Sequence, residues 1–135
     1  MFQVIQQQGG DMNFIRIVAV FAISTPAIPA LADPYQEAVD GLMRASFRHM
    51  EQTYICRGLT GLSRYQDALV AAENAVRLTG VPTDLAMSTV AKMASNIETA
   101  PQRVRQPSLS DCAVGVTRTK QELLGWGAKF RRAQE

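Results

Sequence analysis

One histidine, two cysteines and six methionines are the side chains of this 135-residue sequence whose chemistry could exceed packing. His49 stands beside Met50, with Met43 two turns earlier in a stretch of helical periodicity. Thioether and imidazole ligands select Cu(I), so His49, Met43 and Met50 are the candidate ligands of a copper-binding protein. The plainer reading is structural. Met43 and Met50 repeat at the spacing of one apolar stripe, and His49 falls at its edge, so no metal or cofactor is assigned.

Cys56 and Cys112 have neither the C-x-x-C spacing nor a histidine neighbour of a redox or metal pair. In an exported chain they are most simply a disulfide, joining the end of a first helix to the start of a last one. Enzymatic templates fare worse. No G-x-S-x-G elbow, phosphate loop, H-E-x-x-H or dinucleotide fingerprint occurs, and His49 is the sole conventional base for any nucleophile. Glu37 and Asp40 form a carboxylate pair, but on a face expected to be solvated, where no burial would raise a pKa. No positive reason to propose an enzyme remains.

Composition narrows the partners only slightly. A net charge of +2 and a pI near 8.7 are too mild for a nucleic-acid binder, which needs clustered Lys and Arg. The amino-terminal third is more informative. Arg16 precedes the apolar run Ile17 to Ile23, Pro26 and Pro29 break the stretch from Ser24 to Leu31, and Ala30-Leu31-Ala32 fits the signal-peptidase pattern. We therefore expect residues 1–32 to be a signal peptide cut between Ala32 and Asp33, with periplasmic or secreted localisation. The run is short for a spanning helix of about 20 apolar residues, so no membrane span is expected after cleavage. Met12 is a better initiator than Met1: the first ten residues are uncharged, and Gly9-Gly10-Asp11 must be encoded GGN-GGN-GAY, which can contain a bacterial ribosome-binding sequence.

The remaining chain, 33–135, reads as one helical domain. Asp33-Pro34 caps and opens a first helix whose stripe is Tyr35, Val39, Leu42, Met43, Phe47, Met50 and Tyr54. Glu37, Asp40, Arg44, Arg48 and Glu51 form the opposite, solvated face, with Asp40 and Arg44 at ion-pair spacing. Gly58 and Gly61 are expected to end it. Ser63 and Gln66 read as a capping box for a second helix with Tyr65, Ala68, Leu69, Ala72 and Val76 inward, closed by Gly80. A third opens at Thr83 and carries Leu85, Met87, Val90, Ala91, Ala94 and Ile97 until Pro101 stops it. The last runs from about Leu109 to Arg132, capped by Ser108 and Asp111, along Leu109, Cys112, Val116, Leu123, Trp126 and Phe130.

Four such helices on short connections predict an all-α, up-and-down bundle. Strict alternation places the end of the first and the start of the fourth at one pole, where a Cys56–Cys112 bridge is geometrically permitted. Gly115, Gly125 and Gly127 conflict with their helix, at about 1 kcal/mol each, and call for a close neighbour or a bend. Trp126 in that stretch, and Arg103 and Arg105 in the proline-containing connection, are the candidate partner contacts. Each has a plainer explanation, a core tryptophan and a solvated stiff loop respectively.

Export, size and missing catalytic motifs together predict a non-catalytic helical protein that binds another protein or an envelope component. One disulfide and amphipathic helices resemble small two-cysteine periplasmic proteins such as the acid-stress chaperones of the HdeA type. That resemblance is architectural and carries no motif; it implies a periplasmic chaperone as an alternative to the copper-binding one.

Overall fold

The computed structural model describes residues 33–101 and 105–135. The expected leader, its cleavage point, the choice of initiator and Arg103 lie outside the described residues. Five helices follow in order: α1 (Pro34–Ile55), α2 (Arg57–Thr60), α3 (Leu62–Leu78), α4 (Thr83–Thr99) and α5 (Leu109–Arg132).

Local chemistry explains the ends. The Asp33 carboxylate accepts from the Tyr35 N–H at 3.0 Å, and Pro34 takes the first helical position, where its missing N–H costs nothing. At the far end of α1 the Arg57 guanidinium donates to the Tyr54 carbonyl at 2.7 Å and lies over the Tyr54 ring. The Thr60 N–H donates to the Cys56 carbonyl. With end carbonyls occupied in this way, the chain enters another helical turn instead of stopping. This corrects the expectation for Gly58, which sits inside α2; of the pair it is Gly61, at φ +94°, that takes a positive φ, as Gly80 does after α3 at φ +88°. α3 then starts directly at Leu62, so Ser63 is already within the first turn and forms no capping box with Gln66. The Ser108–Asp111 box is present on both sides, at 3.0 and 3.4 Å. Ala100 is extended ahead of Pro101, as the proline ring requires.

The helices form a small all-α bundle in which α1 is central. It packs against α5 on one side and against α3 and α4 on the other. The α1–α5 pairing is antiparallel: Gly41, Arg48, His49, Gln52 and Cys56 meet Trp126, Glu122, Thr119, Gly115 and Cys112. The disulfide joins Cys56 and Cys112 with Cα atoms 5.6 Å apart, both fully buried. Phe130 closes the opposite pole against Tyr35, ring centroids 5.4 Å apart. On the other side Tyr54 packs on Tyr65, whose hydroxyl donates to Glu98 at 2.9 Å, bringing the end of α4 to the start of α3.

Besides the small cluster of Val116 with the disulfide, two larger interior clusters result. One joins Met50 to Tyr65, Ala68, Ala72, Ala86, Val90 and Ile97 between α1, α3 and α4; the other joins Ala38, Leu42 and Ala45 to Ala75, Leu123 and Phe130. Leu85, Met87 and Ala91 are exposed, contrary to the expected stripe of α4, because the inward line runs through Ala86, Val90 and Ile97, of which Val90 and Ile97 match that stripe. Leu109 is exposed as well. Asp40 accepts from Gln36 and does not pair with Arg44; Arg48–Glu122 at 2.8 Å is the one ion pair among the described residues.

The glycines separate into distinct cases. A Cβ on Gly41 would overlap the Trp126 ring, and one on Gly115 would come within 2.7 Å of the Gln52 amide, so both permit close contact between α1 and α5. Nothing lies within 4 Å of a Cβ at Gly125, and nothing in the structure requires glycine there. Among the described residues no helix is long and apolar enough to cross a membrane.

Candidate functional site

Because α3 and α5 each lie on α1 but scarcely on each other, an open trough runs between them. Its middle is a cavity of about 290 Å³, floored by His49 and Thr53, with Arg64, Asp67 and Ala71 on the α3 wall and Val116, Lys120 and Leu123 on the α5 wall. Toward the Phe130 pole it continues as a cavity of about 380 Å³ bounded by Leu42, Ala75, Leu78, Gly127 and Arg131. The two share Ala71, Leu123 and Leu124. Toward the disulfide a third depression, reached past Arg64 and Val116, extends to Thr60 and Leu109. The trough thus runs along α3, whose 17 residues span about 25 Å.

The walls mix apolar residues, Ala71, Val116, Leu123 and Leu124, with charged ones that are mostly cationic. Arg64, Lys120 and Arg131 face one acid, Asp67, and none of the three cations has an ion-pair partner among the described residues. Leu124 stands at the lip, 63% exposed. Small side chains at Ala71, Ala75 and Gly127 keep the trough wide.

His49 supplies the polar feature of the floor. Its Nδ1 lies 2.9 Å from the Thr119 hydroxyl, which is also 3.0 and 3.2 Å from the Gly115 and Val116 carbonyls. The His49–Thr119 contact is thus one hydrogen bond in a buried network, its direction set by the tautomer of the ring. His49 is only 6% exposed, and what it exposes lines the trough floor. Burial, and next the Lys120 ammonium, hold the imidazole below its ordinary pKa of 6.5.

Stability should depend on pH accordingly. With the folded pKa depressed, the unfolded chain binds the proton more readily, so this contribution is full above pH 6.5 and is lost as pH falls from there through the folded pKa. Charged groups around the ring are Lys120 on α5 and Arg64 and Asp67 on α3. Urea midpoints should fall between pH 7.5 and 5.5 in the native protein and change much less in His49→Gln. Equal slopes in the two proteins would contradict this account of the imidazole.

The other sequence candidates are dispersed. Met50 is fully buried and Met43 half-buried in the α1–α3–α4 cluster, whereas the adjacent His49 turns to α5. Trp126 packs over Gly41 with the Lys129 ammonium 4.2 Å above its ring, lining a separate depression near Glu37 and Arg132. Arg105 is exposed in the connection before α5. Arg64, Asp67, Thr119 and Lys120 are not among the residues that sequence reasoning singles out. Thr119 has a readable signal, since it stands three residues after Val116 and four before Leu123, in step with the buried seam. The three others belong to a space between helices and carry no local mark.

Comparison with protein-family models, with curated proteins and with solved structures yields no match to this chain.

Proposed function

We propose that the protein is exported and non-catalytic, and that residues 33–135 form an oxidised helical domain that binds another protein or an envelope component through the α3–α5 trough. The observation that carries this reading is the trough itself: a channel left open between two helices, with Arg64, Lys120 and Arg131 along its edges and no ion-pair partner for them among the described residues. Export to the periplasm or beyond draws support from the fully buried Cys56–Cys112 disulfide, a bond that persists in oxidising compartments. It also draws support from Asp33. That residue is the first after the expected cleavage point and is the N-cap of α1.

Retention from an envelope extract of the producing cells tests the reading. Oxidised native protein, Leu124→Asp and Leu85→Asp would be immobilised side by side. Both leucines are more than half exposed, but Leu85 lies on α4, away from the trough. A component held by the native protein and by Leu85→Asp, and lost with Leu124→Asp, is the expected result. Retention indifferent to Leu124→Asp would sink the assignment of the trough.

A further inference from the structure

Resting on that binding reading, we infer that the trough takes an acidic amphipathic helix from a partner protein. Shape is the first argument. An open channel about 25 Å long with two helices as walls and a third as floor is a seat for another helix of roughly 16 residues. Ala71, Leu78 and Leu124 give it apolar contacts, over a base of Leu42, Ala75 and Leu123 that is already largely buried in the interior cluster.

Charge placement identifies the guest. Lys120 and Arg131 are eleven residues apart on α5, which puts them on one face of the helix and about 16 Å apart. Arg64 stands across the middle cavity from Lys120. A helix with acidic residues three turns apart on one flank, and another acid on the opposite flank, would meet all three cations. A single-headed amphiphile fits less well, because it needs one charged end and one apolar end, whereas cations here occur at the middle and at the Phe130 end. His49 adds a requirement. A guest that drives water from the floor must offer a polar partner to the ring nitrogen that Thr119 does not bond, so its apolar face should carry one hydroxyl or amide at that level.

Fluorescence anisotropy on the oxidised full-length protein tests this with defined probes. One is a helical peptide of about 18 residues with leucines on one face, a central serine and glutamates on both flanks; its twin has lysine for every glutamate. Dodecanoate and phosphatidylglycerol vesicles are the remaining probes. The acidic peptide should bind at least about tenfold more tightly than its twin, and the Lys120→Glu/Arg131→Glu variant should reverse that order. Equal binding of the two peptides would overturn the inference. So would binding of dodecanoate or vesicles with no binding of the acidic peptide. If either occurs while Leu124→Asp still abolishes retention from envelope extract, the guest has been misidentified and the trough remains a binding surface. If retention is also unaffected, both readings fail.

Discussion

Replacing Cys56 and Cys112 together by serine should lower the unfolding free energy by up to about 4 kcal/mol, the loop-closure figure for a bridge spanning 56 positions. A domain of this size is stable by about 5–15 kcal/mol, so the loss is a large share of the whole. The reason is topological as well as entropic. α1 and α5 meet along one side, and the bridge fixes the pole where α2, α3 and α5 converge. Two buried hydroxyls in place of the bridge would add a cost of their own. Urea melts of the oxidised protein, the reduced protein and the double serine variant separate these effects. Reduction alone should move the midpoint to lower urea by most of the total shift, and an unchanged midpoint would mean that the bridge contributes nothing to stability.

Phe130→Ala should have a comparable effect at the opposite pole. The ring is 0% exposed, packs with Ala38 and Leu42, and meets Tyr35. Truncating a buried phenylalanine costs about 3–5 kcal/mol through lost transfer energy and the cavity left behind. The site lies in the last turn of α5, where fraying can relieve part of the cavity, so the lower end of that range is expected. Cys112 and Phe130 are separated along α5 by about 27 Å, far enough for the two losses to add. Combining Phe130→Ala with the cysteine replacements should therefore leave much of the population unfolded in water. A loss below about 1 kcal/mol for Phe130→Ala alone would show that this pole is not packed as described.

Much of the frame is legible in the sequence because its signals are local. Asp33-Pro34, Val81-Pro82-Thr83, Pro101 and Ser108 with Asp111 mark helix ends through backbone chemistry that needs no tertiary context. The Tyr65, Ala68, Ala72 and Val76 stripe is equally direct. The α5-facing side of α1 is not legible. Gly41, Gln52 and His49 are small or polar, so they produce no apolar rhythm, and their burial depends on Trp126, Gly115 and Thr119 arriving from a distant helix. α2 escapes sequence reasoning because Gly58 reads as a stop, while the competing signal, an Arg57 side chain satisfying the Tyr54 carbonyl, needs three dimensions. The trough is the extreme case. It exists because α3 and α5 fail to meet, and no single residue encodes that gap.

Site-specific photo-crosslinking in the producing cell tests the central claim most directly. A photoreactive side chain at Leu124, on the trough lip, would be compared with one at Met87, similarly exposed on α4. The account predicts a discrete adduct from position 124, reduced by Lys120→Glu/Arg131→Glu, and none from position 87. The same adducts from both positions, or an adduct from position 87 alone, would contradict it.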